Sequence, residues 1–232
     1  MSASGKSDAR LLALAVALGL TLFVGATFLL PNLGPNLRLF AIPSASMAPA
    51  LAPGDLVLVS RFSYGLSRWS YDWLQLPIAG RWPDWRPRRG DVVALRAPGR
   101  DDVVYLKRVV AFAGETVEMR AGRLVIDGAV VGREPAPLTT PAGLGLTRRV
   151  DAWVESLPGG RRLRILETEG DSGPNDAFAE TRVPAGHVFV LGDNRDNSVD
   201  SRQPVAQGGL GPIPVERLIG RALMGGKLRE RP

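Results

Sequence analysis

A mainly-β domain behind a single N-terminal transmembrane helix is the fold that the sequence predicts. Three observations carry it. The run Leu11 to Leu30 holds no charged residue and stops at Pro31. After it, short apolar runs rich in Val, Leu and Ile alternate with Gly, Pro, Asn and Asp, the pattern of strands joined by turns. Finally, 27 Gly and 19 Pro in 232 residues disfavour long helices outside the apolar run.

Each segment follows in order. As a helix rising 1.5 Å per residue, residues 11–30 span about 30 Å, the hydrocarbon thickness of a bilayer. Lys6 and Arg10 precede the run against a single Asp8. That bias puts residues 1–10 in the cytoplasm and residues 31–232 on the far side, as a single-pass protein of the inner (cytoplasmic) membrane. A second reading is a cleaved leader with Val24-Gly25-Ala26 as the cleavage site; the apolar run continues past it through Leu30, which favours an uncleaved anchor. Either way the main domain is extracytoplasmic.

A Pro/Asn spacer leads into the apolar run Leu39–Ile42. Strands are then expected at Asp55–Ser60, Asp91–Arg96, Val103–Phe112, Thr116–Met119, Arg123–Ile126, Arg162–Leu166 and His187–Leu191. Asp127-Gly128 is a hairpin turn signal. The last apolar stretch, Leu218–Met224, is expected to begin as helix. Two stretches read as insertions. Residues 64–88 hold Tyr64, Tyr71, Trp69, Trp73, Trp82 and Trp85; two readings are open, a loop packing its aromatics on the sheet or a contact with the membrane interface. Residues 133–185 read as an irregular β-rich subdomain.

Composition removes whole classes of chemistry. With no cysteine there are no disulfides, thiolate nucleophiles or cysteine-bound metals, and no His and carboxylate cluster suggests a metal site. The net charge of +6 comes without a nucleic-acid motif, so no nucleic-acid partner is expected. The readings left for it are a solvated arginine-rich surface or attraction to anionic lipid. The lone His187 sits in an apolar strand, where a structural role fits better than a triad.

The lysines are more informative. Of 29 basic residues only Lys6, Lys107 and Lys227 are lysines. Lys107 alone lies inside the domain, within the apolar run Val103–Val110. Arginine keeps its proton near neutral pH, whereas a desolvated lysine can lose it. On a strand Lys107 shares a face with Val103, Tyr105 and Val109, while Arg108 points away. By pattern alone such a lysine also fits a strand-edge residue that snorkels to water. Upstream, Pro43-Ser44-Ala45-Ser46-Met47 is a candidate nucleophile loop, and a serine hydroxyl needs a base to become reactive. A dense polar run, Gly192 to Arg202, follows the apolar strand at His187–Leu191.

Taken together, these segments resemble bacterial type I signal peptidases. Pro43 to Leu51 with Gly54-Asp55 resembles their nucleophile box. Arg89-Gly90-Asp91-Val92-Val93 and Tyr105-Leu106-Lys107-Arg108-Val109-Val110, with Gly114-Glu115, resemble the lysine box. Gly192 to Arg202 resembles the third box, and Val215 to Ala222 the closing segment. The boxes stand in family order behind an N-terminal apolar run, with residues 64–88 and 133–185 as the variable parts. Ala45 stands where many members have glycine, and Gln207–Gly211 lengthens the connection after Arg202.

The resemblance implies a membrane-bound serine endopeptidase that removes signal peptides from exported preproteins through an acyl-enzyme, without a cofactor. It implies Ser46 as nucleophile and Lys107 as general base. Ser44 and the Ser46 amide would form the oxyanion hole, and Ser198 would orient the lysine amine. Asp193, Asp200 and Arg202 would support the loop by ion pairing. Phe40, Ile42, Met47, Leu51, Tyr105 and Leu106 would line shallow pockets for small residues at −1 and −3. The implied partners are signal peptides, membrane lipid and the protein export machinery. Two alternatives stay open: a specialised maturation peptidase of a conjugation or secretion system with few substrates, and a non-catalytic anchored β-domain that binds exported partners.

Overall fold

The computed structural model describes residues 12–24, 36–71, 76–137 and 150–226. Residues 12–24 form a helix whose Leu12, Leu14, Val16, Leu18, Leu20 and Leu22 side chains are exposed. Among the described residues no helix is long and apolar enough to cross a membrane. Leu11 and residues 25–30 of the expected span lie outside the described residues.

The rest is β structure, and every strand pair is antiparallel. The largest sheet takes β1 (Leu37–Ala41), β2 (Leu56–Ser60), β3 (Val92–Ala97), β4 (Arg100–Phe112), β12 (His187–Leu191), β13 (Ile213–Pro214) and β14 (Leu218–Gly226) in the order β1-β2-β14-β3-β4-β12-β13. A second sheet orders β11 (Phe178–Arg182), β5 (Thr116–Arg120), β6 (Arg123–Ile126) and β7 (Ala129–Val130) as β11-β5-β6-β7. A third is β10 (Arg162–Glu167), β9 (Asp151–Ser156) and β8 (Gly132–Pro135). The turn between β6 and β7 is Asp127-Gly128 with φ of 50° and 75°, the doubly left-handed geometry that such a pair favours.

Strand β4 is the spine of the molecule. Its β-branched residues pack on both faces, which is what a strand covered on two sides requires. Val110 and Ala111 join Phe189 and Leu191 in a core shared with the two smaller sheets. Val109, Val188 and Val190 lie in a second core with Val93 and Leu95. The register passes from Phe189 opposite Ala111 to Val190 opposite Val109. Val110 is therefore the extra residue of a bulge, which reverses the facing of the strand on its two sides. Beyond the bulge, Lys107 keeps phase with Val103, Tyr105 and Val109, which pack in the second core.

Two expectations about elements need correction. Strand β4 begins at Arg100, because Arg100 pairs back on Ala97 around a tight turn before the register shifts and Val104 meets Arg96. The stretch expected to start as helix is strand β14; only a 3-10 turn, Val215–Arg217, precedes it. Leu218 and Ile219 point into opposite cores, the alternation of a strand covered on both faces. Gly220 lets β14 close on its neighbour: a Cβ there would lie 2.1 Å from the Ser60 carbonyl oxygen.

The segment 64–88 is held from inside by Arg81, whose guanidinium donates to the carbonyls of Tyr64, Gly65, Val215 and Leu218. Its aromatics divide between the two readings. Trp69 stacks against Arg68 and Arg217 and Trp85 meets Phe62 edge-on, whereas Trp82 is 60% exposed. Trp73 lies outside the described residues. The expected excursion 133–185 contributes β9, β10 and β11; residues 138–149 lie outside the described part.

Candidate active site

The serine loop is a tight turn pinned by its apolar members. Residues Ala45–Met47 form one 3-10 turn closed by the Ala48 amide donating to the Ala45 carbonyl at 3.0 Å. Met47 and Ala48 are buried, and Ile42 and Leu51 pack with Met47 in a third core. The Leu51 amide donates to the Met47 carbonyl, and the Asp55 carboxylate accepts from the Ala52 amide at 2.8 Å. Ser46 is thus carried half-exposed above a fixed base. Its carbonyl accepts from the Asn194 amide at 3.1 Å, which ties the loop to the polar run after β12.

Lys107 meets this loop from β4. Its Nζ donates to Ser46 Oγ at 2.8 Å, and the residue is only 1% exposed. No carboxylate makes a hydrogen bond or ion pair with it among the described residues. Burial lowers its pKa to about 8, working against the Asp200 and Asp193 charges, which raise it, and with the Arg202 charge, which lowers it. At pH 7 about one amine in ten is then neutral, against about one in several thousand for a free lysine. The lysine is therefore available as a base, and the snorkelling alternative does not describe it.

The predicted supporting residues are brought to one place. Asp200 and Arg202 are both buried and paired at 2.9 Å, and Asp200 also accepts from the Gly192 amide at 3.0 Å. Burial alone would raise Asp200; the Arg202 charge and these hydrogen bonds outweigh it and hold the carboxyl below its ordinary range. Asp193 is gripped two-pronged by Arg108, with Nε at 2.7 Å, so the side chain pointing away from Lys107 clamps the loop beside it.

Ser198 needs correction: its Oγ is buried without a hydrogen-bond partner, so in this structure it does not bond the lysine amine. It lies instead against Gly192, where a Cβ would stand 2.2 Å from Ser198 Oγ and 2.6 Å from the Ser46 carbonyl oxygen. Ser44 is exposed, with its hydroxyl 3.3 Å from Ser46 Oγ.

A cavity of about 290 Å³ opens beside the pair, lined by Phe40, Ile42, Met47, Tyr105 and Leu106 together with Ser44, Ser46 and Lys107. Leu51, expected among these residues, is absent from that lining. It packs with Ile42 and Met47 in the third core and borders a separate cavity of about 420 Å³. His187 lies away from the pair: its Nδ1 is 2.8 Å from the Ala185 carbonyl, and it borders a third cavity with Trp85 and Phe112.

Two contributors escaped sequence reasoning. One is Arg108 as the Asp193 clamp. The other is the Arg195–Glu155 pair, both 1% exposed and joined at 2.8 and 2.5 Å, which fastens the polar run to β9. Sequence offered a weak signal for the first, a charge inside an apolar run. It offered none for the second, since the partners lie on separate segments and no spacing rule links them.

Comparison with known proteins shows the family. The family model described as signal peptidase, peptidase S26, matches residues 9–225. Signal peptidase I of Pseudomonas aeruginosa is 34% identical over 193 residues, covering 79% of this chain and 62% of the relative. That of Pseudomonas fluorescens is 35% identical over the same shares, and that of Rickettsia typhi is 31% identical, covering 79% and 69%. The match thus spans 62% of the length of the two Pseudomonas proteins. With a buried lysine against the loop serine and a family match running nearly end to end, the chain belongs to the signal peptidase family, peptidase S26.

Proposed function

We propose that this chain is a membrane-anchored serine endopeptidase that removes signal peptides from exported preproteins, with Ser46 as nucleophile and Lys107 as general base. The observation that carries the reading is the 2.8 Å contact between a 1%-exposed amine and the serine hydroxyl. In the neutral state Lys107 Nζ accepts the Ser46 proton as Oγ attacks the carbonyl after the −1 residue. Ser44 Oγ–H, 3.3 Å from Ser46 Oγ, and the Ser46 N–H are the donors to the oxygen that becomes negative in this reading; preorganised donors of this kind contribute about 3–4 kcal/mol to the transition state. The ammonium then protonates the leaving amine, and the acyl ester on Ser46 remains. Lys107 next takes a proton from water, whose oxygen attacks the ester; the Lys107 ammonium returns that proton to Ser46 Oγ as the ester bond breaks, which frees the enzyme. No cofactor is required.

The substrate's approach follows from the strand edge. β12 pairs with β4 only from Arg108 onward, so the backbone of Val103–Lys107 has no strand partner on that side among the described residues. An extended peptide can add there as a strand, its small side chains at −1 and −3 seated in the cavity bordered by Phe40, Ile42, Met47, Tyr105 and Leu106. The apolar run of residues 11–30 serves as the anchor, with the N-terminus cytoplasmic and the catalytic domain outside; the exposed leucines of the described helix suit lipid. Residues 31–232 are then one extracytoplasmic domain that meets membrane lipid and receives its substrates from the export machinery.

The test is cleavage of a panel of unrelated preproteins by the purified full chain, wild type against Ser46→Ala. Cleavage of many by the wild type alone is expected. Cleavage of a single preprotein would replace the general enzyme by a specialised one, and equal cleavage by both proteins would remove Ser46 from the chemistry.

A further inference from the structure

The cavity of about 420 Å³ that Leu51 borders takes no part in this mechanism. It is bordered by Leu51, Gly90, Asp91, Arg108, Arg161 and Arg221, with other residues of β2, β3 and β14. Its charges are unevenly satisfied. The Arg108 guanidinium is filled by Asp193 and the Gly90 carbonyl. Asp91 accepts from the Tyr64 hydroxyl at 2.9 Å and from the Arg88 amide at 3.0 Å, both at Oδ2, and its one negative charge stays in the lining. Arg161 and Arg221 differ: among the described residues neither guanidinium makes a hydrogen bond or ion pair, and Arg221 Nε is buried with no partner at all.

A buried donor without an acceptor is costly, and a guanidinium is built to hold an oxyanion with two parallel N–H groups. Arg221 is placed by β14, whose register puts it opposite Val93 and Ser60. Arg161 arrives from the β9–β10 turn and lays its side chain across Gly90, where a Cβ would lie 2.6 Å from its Cγ. Gly90 is therefore the residue that admits Arg161 to the cavity. Two cations without a hydrogen-bonded or ion-paired partner among the described residues border one concave polar site; with Arg108 cancelled by Asp193 and one charge offset by Asp91, an excess of positive charge remains.

We propose that this cavity is a phosphate-binding site in which Arg161 and Arg221 hold the phosphoryl oxygens, of free phosphate or of a phospholipid headgroup. The site touches Leu51, the end of the loop that carries Ser46, so an occupant bears on the loop from behind. Phosphate binding at this cavity is independent of peptidase activity and is measured as binding alone.

The experiment titrates the full chain in neutral detergent with inorganic phosphate at constant ionic strength, reading thermal midpoint and calorimetric heat, with chloride as control. Parallel arms measure binding to vesicles of phosphatidylcholine with and without phosphatidylglycerol. A saturable rise in midpoint with phosphate and not with chloride is expected, with affinity reduced about tenfold in Arg161→Gln and in Arg221→Gln, the loss expected for one charge-assisted contact. Arg161 is exposed and its variant is expected to fold; the wild-type titration stands in any case. If the same variants lose affinity for phosphatidylglycerol vesicles, the site takes a lipid headgroup; if vesicle binding is unchanged, it takes free phosphate. Equal responses to phosphate and chloride, or undiminished phosphate affinity in folded Arg161→Gln, would overturn the proposal.

Discussion

Replacing Lys107 by methionine is expected to make the protein inactive and, at neutral pH, more stable. The structure gives the size of the second effect. The amine is 1% exposed, and burial lowers its pKa from 10.5 to about 8. A folded pKa below the unfolded one means that the folded chain binds fewer protons between those values, so stability rises with pH between about 8 and 10.5 and the penalty is fully present below about 8. At about 1.36 kcal/mol per pH unit the penalty at pH 7 is about 3 kcal/mol. Methionine has nearly the same length and carries no charge, so Lys107→Met removes that penalty. Urea unfolding of the full chain in detergent micelles, wild type and variant at pH 7 and pH 10.5, measures it. The variant's advantage of about 3 kcal/mol at pH 7 is expected to shrink to well under 1 kcal/mol at pH 10.5. The change with pH is diagnostic, because any packing difference between the two side chains is the same at both. An advantage that does not shrink, or a variant less stable at pH 7, would refute a desolvated lysine and with it the base.

The same electrostatics predict that kcat/KM for a peptide substrate rises with pH through a limb near 8. Asp200→Asn or Asp193→Asn removes a charge that holds the Lys107 pKa up, so the limb of either variant is expected to move to lower pH; a pH–rate profile checks the direction. Lys107→Arg is expected to be inactive, because a guanidinium stays protonated; measurable turnover would remove the base from the mechanism. Ser44→Ala is expected to lower kcat by about a hundredfold or more with little change in KM, the mark of a donor used in the transition state; steady-state kinetics decide it. Gly192→Ala would put a Cβ 2.2 Å from Ser198 Oγ and 2.6 Å from the Ser46 carbonyl. It is expected to cost about 1–3 kcal/mol in urea unfolding by overpacking and to depress turnover by shifting the serine loop. Glu155→Gln leaves Arg195 buried with a weakened partner and is expected to cost about 3–5 kcal/mol, read by the same unfolding assay.

Much of the architecture was legible because strands announce themselves locally. His187–Leu191 and Arg123–Ile126 were found at their observed limits, since an apolar run bounded by turn residues has few other conformations open to it. The last strand was not, because Leu218–Met224 is short enough to suit helix or strand, and the choice rests on its pairing with β2 on one side and β3 on the other. At the site, Lys107 and Ser46 stood out by residue type and order. Leu51 is not in the cavity lining where it was expected, since which apolar side chains a cavity exposes is set by packing and not by residue type.

What the sequence determined alone is chemistry by elimination and order: no cysteine, one histidine, one lysine within the domain, and boxes in a recognisable succession. Side-chain identity limits which protons can move, whatever the fold. The tertiary structure decided the surroundings of those groups. Only the closure of β4, the serine loop and the Gly192–Arg202 run around one amine excludes water from it and sets it 2.8 Å from a hydroxyl. A pKa depends on solvation and neighbouring charge, and both are properties of the packed chain.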